Sequence, residues 1–353
     1  MKAVRLHAIK EFTYDEVTKP VPKGKELLIK VSACGICGSD IPRVYELGTS
    51  TGIYPVTLGH EFSGTVVEVG DVKNKDLIGK TGVIFPLIPC GKCEYCKTGN
   101  YAQCSNYNYL GSRCDGGFAE YCLLPSKWHL ILSNNPSVSK EDLSLVEPAT
   151  VAQHAVRKGN VTAGETVVIF GAGPIGIIAA RWAELFGVKN TLLVDIIEEK
   201  VTFAKERGLN IINSAKENCA KIVKDITNGK GADVVIEGTG SSDGLNNAIN
   251  CIKTFGTIVL LGNPHKDTTI KLSNHSNILR KELTLRGVWN SYYLDMPINE
   301  WRYTVDMIDE NKLKVSDLIS HRTDLKSLKS LFDQIYNREI SICKAIYSSE
   351  CDK

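Results

Sequence analysis

Val167-Val168-Ile169-Phe170-Gly171-Ala172-Gly173-Pro174-Ile175-Gly176, running on to Phe186, decides half of the fold. Four apolar residues read as a buried strand, the glycines as a tight turn, and Ile175 to Phe186 as a helix. The next apolar run, Thr191-Leu192-Leu193-Val194, ends on Asp195, about 20 residues beyond the glycines. Each part meets a physical need of holding a dinucleotide. Gly171 permits the turn, Gly173 lets a pyrophosphate approach the backbone, and Gly176 lets helix and strand pack closely. Pro174 and Ile175 open the helix, whose N-terminus offers free N–H groups and a positive dipole end to phosphates. Asp195 is expected to bond the ribose hydroxyls and to repel a 2′-phosphate, which favours NAD over NADP. The competing reading makes Asp195 the cap of the following helix.

Outward from this stretch, strands and helices alternate. Asp233-Val234-Val235-Ile236-Glu237, Thr257-Ile258-Val259-Leu260-Leu261 and Leu283-Thr284-Leu285-Arg286-Gly287 continue the series. Such alternation implies parallel βαβ units in a doubly wound α/β domain. Thr166 to Phe186 is apolar enough to suggest a membrane span. Its glycines, Pro174, Arg181 and Glu184 argue instead for a strand running into a helix. Residues 1–148 carry short β-type runs such as Leu27-Leu28-Ile29-Lys30-Val31 and Gly64-Thr65-Val66-Val67-Glu68-Val69. The tail holds an amphipathic segment, Asn299 to Glu310, which needs a surface to pack on. The expected division is 1–148, 149–287, and a tail 288–353 returning to the first domain.

A chain of 353 residues fits two domains of roughly 150 residues each. Its 42 basic and 40 acidic residues give a net charge of +2, which offers no electrostatic reason to expect nucleic acid or a membrane as partner. Met1 to Lys10 is too charged for a secretory leader. Of the 12 cysteines, those at 90, 93, 96, 104, 114 and 122 cluster, and Cys34-x-x-Cys37 adds a pair. That clustering reads as metal binding in a reducing compartment, so a cytoplasmic protein is expected.

Cys90-x-x-Cys93-x-x-Cys96-x7-Cys104 is the strongest single signal. Four thiolates at this spacing close a tetrahedral shell, which makes a structural zinc with no open position. An iron–sulfur cluster is the alternative for such cysteines. A nucleic-acid-binding ribbon would need basic surroundings, and Glu94 and Asp115 offset Lys92, Lys97 and Arg113. A second candidate set is dispersed: Cys37, then His60 and Glu61, then Glu147 before Pro148. Cys, His and carboxylate ligands suit a catalytic zinc that keeps a replaceable water. Taken singly, Cys37 reads as a core residue, His60 as a satisfied polar group, and Glu147 as a helix end. Spacing alone does not join them.

The Gly59-His60-Glu61 segment, the four cysteines and the nucleotide fingerprint stand in an order that resembles the zinc-containing medium-chain dehydrogenases. The resemblance spans about residues 1 to 350. It implies a GroES-like β-rich catalytic domain with a Rossmann domain, two zinc ions per chain and NAD. Cys37 and His60 match the family's catalytic zinc ligands, and Glu61 and Glu147 match carboxylates of the sorbitol dehydrogenase branch. The resemblance further implies that Ser39 takes the proton of the substrate hydroxyl, that Glu61 acts at the metal, and that Asp40 fixes the tautomer of His60. Cys37–Arg43, Tyr54–Gly64, Gly111–Tyr121 and Leu279–Thr284 are similar to the branch that oxidises galactitol 1-phosphate.

The chain departs from the family at Pro42, where many relatives carry a proton-relaying histidine, and at Gly38, where some carry an arginine. A secondary alcohol of a polyol or polyol phosphate is the expected substrate, with sorbitol, 2,3-butanediol or threonine as alternatives. A phosphate needs cations, for which Arg43, Arg113, Arg280 and Lys281 are candidates. Tyr292 and Trp289 are candidate cleft residues. A non-catalytic zinc protein is the reading from another class, though it has no need of Cys37, Ser39, His60, Glu61 and Glu147 together. Relatives are oligomers, so a homodimer or homotetramer is expected.

Overall fold

The computed structural model describes residues 1–352, which form two compact units. The first takes Met1–Pro148 together with the stretch that begins at Tyr292, and the second is Ala149–Ser291.

The second unit is built on six parallel strands. In spatial order they are Ile211–Asn213, Asn190–Asp195, Thr166–Phe170, Ala232–Glu237, Ile252–Leu260 and Thr284–Gly287. Numbered along this unit the order is 3-2-1-4-5-6, the Rossmann arrangement with its switch point beside the first strand. Thr166–Phe170 is buried at every position, as a central parallel strand covered on both faces should be. The helix Pro174–Leu185 follows, and its Trp182 is fully buried with the indole N–H donating to Ala149 O at 2.9 Å. The apolar run from Thr166 is thus a strand and a helix. Among the described residues no helix is long and apolar enough to cross a membrane.

The first unit is β-rich. Leu27–Gly35 is its central strand, paired antiparallel with Glu61–Val69, Tyr121–Leu124 and Lys344–Ser348. Thr81–Ile84 and Leu130–Leu132 extend the sheet on one side, and Ile319–Thr323 pairs parallel with Lys344–Ser348 on the other. A smaller sheet joins Lys2–Ala8 to Glu11–Glu16 and Val56–Thr57. One core of Leu6, Phe12, Leu27, Ile29, Phe62, Phe118 and Phe332 lies under these sheets.

The chain's last stretch enters this unit through aromatic contacts. Tyr293 stacks on Phe85 at 4.1 Å, its hydroxyl donates to Trp128 O at 2.6 Å, and Trp301 packs edge-on against Phe85 at 5.1 Å. Trp301, the second residue of the amphipathic helix Glu300–Asp309, is 0% exposed. Trp301→Ala should therefore cost about 3–5 kcal/mol, the usual range for truncating a buried aromatic. Urea unfolding followed by tryptophan fluorescence and circular dichroism measures it. A loss under about 1 kcal/mol would mean that the cluster does not anchor this stretch.

Candidate active site

Three short segments, distant in sequence, meet where strands of the first unit end. Leu27–Gly35 pairs with Glu61–Val69 in a register that sets Gly35 opposite Glu61 and Cys34 opposite Phe62. Cys37 lies just past the end of one strand, and His60 just before the start of the other. Antiparallel pairing therefore delivers both to one spot. Gly59 has φ +91°, and a Cβ there would sit 2.6 Å from Cys34 Sγ and 2.9 Å from Phe118. Only glycine lets the chain turn this tightly into His60.

One ligand atom each from Cys37, His60 and Glu61 lies within 4.8 Å of the others. His60 and Glu61 are buried, and Cys37 is half-buried. Glu147, on the helix Val146–Lys158, is buried beside this trio and accepts a hydrogen bond from Tyr109 Oη at 3.3 Å. The edge of Tyr109 also meets the His60 ring, with centroids 5.7 Å apart. Ser39 donates its hydroxyl to Cys37 Sγ at 3.3 Å.

Asp40 organises the segment. It is 0% exposed. Its Oδ2 accepts from the Cys37 N–H at 3.0 Å, and its Oδ1 accepts from the Arg43 guanidinium at 2.8 Å. The same Oδ1 stands 3.6 Å from His60 Nδ1. Asp40 opens a single turn, Asp40–Pro42, that continues into the π-turn Arg43–Leu47.

Burial opposes the charged imidazole of His60, but the Asp40 carboxylate and the Cys37 sulfur outweigh it and raise the group to about 10. Burial pushes Glu147 up to about 7, against the pull of His60. The physical content is crowding. With Cys37 as thiolate, Glu147 ionised and His60 in the neutral form that a metal ligand must take, four anionic groups (Cys37, Asp40, Glu61 and Glu147) share a buried volume with two fixed cations, Arg43 and Lys344; without a metal, the proton that His60 holds covers part of this excess. His60 Nδ1 is buried without a hydrogen-bond partner. A divalent cation ligated by sulfur, imidazole and carboxylate restores the charge balance, and zinc is the ion this donor set suits.

The four-cysteine lobe lies apart from this trio. Cys90, Cys93, Cys96 and Cys104 bring their sulfurs within 4.8 Å of one another, with Cys90–Cys96 and Cys93–Cys104 separations of 3.9 Å. Backbone N–H groups of Ser105 and Cys96 hold the Cys93 thiol down to about 5, while burial pushes Cys96 up to about 12. Donors aimed at sulfur favour thiolate, the form that binds metal.

In the second unit, Gly171 has φ +97°, and a Cβ on Gly176 would collide with Gly171 O. Nothing lies within 4 Å of a Cβ built on Gly173, so the space over that backbone is open. Gly173 caps the helix and Pro174 and Ile175 form its first turn. Asp195 Oδ2 accepts from the Ala172 N–H at 2.8 Å, and Oδ1 accepts from Ile196 at 2.8 Å and Ile197 at 3.0 Å. The carboxylate thus ties the glycine turn to the end of its own strand.

The candidate phosphate cations all have protein partners. Arg43 is on Asp40. Arg113 donates to Tyr107 O at 2.8 Å and lies 3.9 Å from that ring's centroid. Arg280 is on Ser276, and Lys281 donates to Ile252 O at 2.7 Å. Tyr292 gives its N–H to Glu300, and Trp289 is 57% exposed. Sequence reasoning missed Tyr109, Gly35 and Lys344, which pairs with Glu61. A lysine opening the apolar run Lys344-Ala345-Ile346-Tyr347 was the one available signal.

Residues 23–134 match the alcohol dehydrogenase GroES-like domain, and residues 174–310 match the zinc-binding dehydrogenase domain. Galactitol 1-phosphate 5-dehydrogenase of Escherichia coli K12 is 33% identical over 314 residues, which is 89% of this chain and 90% of the relative. The crystal structure of galactitol-1-phosphate dehydrogenase from Escherichia coli superposes with a TM-score of 0.90 at 31% identity, over 99% of this chain and 100% of that one. A zinc-binding dehydrogenase structure from Sinorhizobium meliloti 1021, bound to NADP, has a TM-score of 0.87 at 30% identity over 98% of each chain.

Replacing Cys104 with Ser should leave one zinc equivalent per chain in place of two. The thermal midpoint should fall by on the order of 5 °C, because metal binding free energy is folding free energy for a lobe without its own core. Atomic emission and scanning calorimetry measure the two effects. Unchanged zinc content and midpoint would count against the four-cysteine assignment.

Proposed function

The chain belongs to the zinc-dependent alcohol dehydrogenase family, and we propose that it oxidises a secondary alcohol of a polyol phosphate, galactitol 1-phosphate first, with NAD as hydride acceptor. The observation that carries this reading is the convergence of Cys37, His60 and Glu61 within 4.8 Å, with the Ser39 hydroxyl on the Cys37 sulfur. The galactitol 1-phosphate relative supports the substrate class over 89% of the chain.

Zinc, when bound by Cys37, His60 and Glu61 with Glu147 beside them, acts as a Lewis acid on the substrate hydroxyl. The chain's own groups do the rest. Ser39 sits within reach of a hydroxyl placed at this trio and accepts its proton. Pro42 has no proton to relay, so Ser39, as it takes the substrate proton, would release its own hydroxyl proton to water. Asp40 holds the Cys37 N–H by a hydrogen bond and acts on His60 Nδ1, 3.6 Å away, only through its charge, so it fixes the turn at Cys37 directly and His60 electrostatically. NAD, which Gly171, Gly173, Gly176 and Asp195 would hold, would supply the hydride acceptor.

Asp195 supports NAD over NADP. Its carboxylate lies at the strand end, where a 2′-phosphate would meet a negative charge, of which Lys200 Nζ, 3.9 Å from Oδ2, offsets only part. Twelve free cysteines, four of them in one lobe, fit a reducing cytoplasm. Assembly as a dimer or tetramer belongs to the same reading.

One observation favours a second reading, oxidation of an unphosphorylated alcohol such as sorbitol, 2,3-butanediol or threonine. Arg43 and Arg113 are already engaged, by Asp40 and by Tyr107.

The deciding assay is NADH formation by the zinc-loaded protein with galactitol 1-phosphate, galactitol, sorbitol, 2,3-butanediol and threonine. The polyol-phosphate reading expects kcat/KM at least about 100-fold higher for the phosphate, a difference of about 2.8 kcal/mol. Activity confined to an unphosphorylated alcohol transfers the assignment to the second reading. In the same assay Asp195→Ala should weaken NAD binding about tenfold and narrow the NAD/NADP preference. An unchanged preference would mean that another residue reads the ribose.

A further inference from the structure

Lys344 opens the strand Lys344–Ser348 near the chain's end, and its side chain is 4% exposed. Its Nζ donates to Ile36 O at 2.9 Å and forms an ion pair with Glu61 Oε2. Cys37 and Glu147 are its other charged neighbours. A buried ammonium is rarely retained for stability, because apolar residues of similar volume commonly serve as well or better. The surroundings are shaped for this one. A Cβ on Gly35 would run into Glu61 Oε2 and stand 2.9 Å from Lys344 Cε. Glycine at the end of the central strand therefore vacates the volume in which the pair forms.

We propose that Lys344 is a positioning residue for the metal: it holds one carboxylate oxygen of Glu61 and so presents the other, in a fixed orientation, as a single donor. The proposal rests on the reading of Cys37, His60 and Glu61 as metal ligands. A carboxylate free to rotate would alternate between one-oxygen and two-oxygen contact and crowd the position a substrate hydroxyl needs. The Ile36 carbonyl fixes the ammonium, the ammonium fixes Oε2, and the strand pairing of Lys344–Ser348 with Leu27–Gly35 fixes both. The last strand of the chain thereby completes a site whose ligands lie before residue 148.

The test uses full-length Lys344→Met, Lys344→Arg, Glu61→Gln and the Lys344→Met/Glu61→Gln pair. Zinc per chain, the rate of zinc release to a chelator, and the visible spectrum of the cobalt(II)-loaded protein are measured. Lys344→Met should keep the four-cysteine zinc, release the other zinc about 10–100-fold faster, and show altered cobalt bands. Lys344→Arg should recover part of the loss. A Lys344→Met protein with the release rate and spectrum of the unaltered chain overturns the proposal.

Should Lys344→Met fail to fold, the double variant decides, since it removes both halves of the buried pair. The proposal expects its zinc release to equal that of Glu61→Gln alone, because Lys344 acts only through Glu61. Faster release from the double variant overturns it. If the unaltered protein binds only one zinc, the metal-site reading falls and this proposal with it. Two zincs and an unaffected Lys344→Met overturn the positioning role alone.

Discussion

The antiparallel pairing of Leu27–Gly35 with Glu61–Val69 is the constraint on which the site depends. A strand alternates its side chains with period two, so a slip of one residue would turn Glu61 to the opposite face and carry His60 away from Cys37. Register shifts between Leu28 and Ile29 and between Val31 and Ala33 interrupt the ladder at set places and hold the register. The buried side chains of Leu27, Ile29, Phe62 and Val66 punish any slip, since each would lose its place in the core. Lys344–Ser348, paired to the other edge of Leu27–Gly35, inherits the same register and sets Lys344 against Glu61. Three strands in one alignment thus carry a trio whose donors could hold a metal, its cationic counterweight, and the glycines that leave room for both.

That alignment has an electrostatic consequence. Like charges are forced together in a buried volume, where each unpaired ion costs several kcal/mol. Arg43 answers Asp40 and Lys344 answers Glu61, which leaves Cys37 and Glu147 to be balanced either by a proton on His60 or, with His60 neutral, by a divalent cation. Metal binding and folding of this region are therefore linked. The four-cysteine lobe reaches the same linkage by another route. Between the short pairing of Leu87–Ile88 with Asn108–Tyr109, its chain has one helical turn and a 3₁₀ turn and little apolar burial. A zinc held by the four thiolates would supply the order that an apolar core does not.

The Rossmann unit was legible because its determinants are contiguous. The strand, the glycine turn and the helix from Pro174 follow one another, and hydrophobic period with glycine placement reports all three. The double duty of Asp195 was not legible. Its bond to the Ala172 N–H closes a loop across 23 positions, which no local pattern records. The dispersed site was legible only through the order of segments shared with a family, since strand pairing, not spacing, joins Cys37 to His60. Lys344 was the least legible. A lone lysine opening a strand reads as a solvated edge residue, and its 308-position reach to the Ile36 carbonyl appears only when the sheet closes.

The pairing of Arg43 with Asp40 bears on how a phosphate could enter the site. If a substrate phosphate drew the guanidinium away, Asp40 would be left as a fully buried carboxylate whose Oδ1 faces only His60, at 3.6 Å. The cost of that uncompensated charge would offset what the phosphate contributes. A guanidinium, however, carries five N–H donors in a fixed fork, and the bond to Asp40 uses Nη1. Arg43 is 20% exposed on its side chain, enough to present its outer edge. Were Arg43 to bind a substrate phosphate, it would have to bridge, with one nitrogen kept on Asp40 and the others turned outward. In that arrangement the cation that recognises the substrate is the same one that keeps Asp40 on the Cys37 N–H and facing His60, so recognition and metal geometry would be coupled through a single side chain.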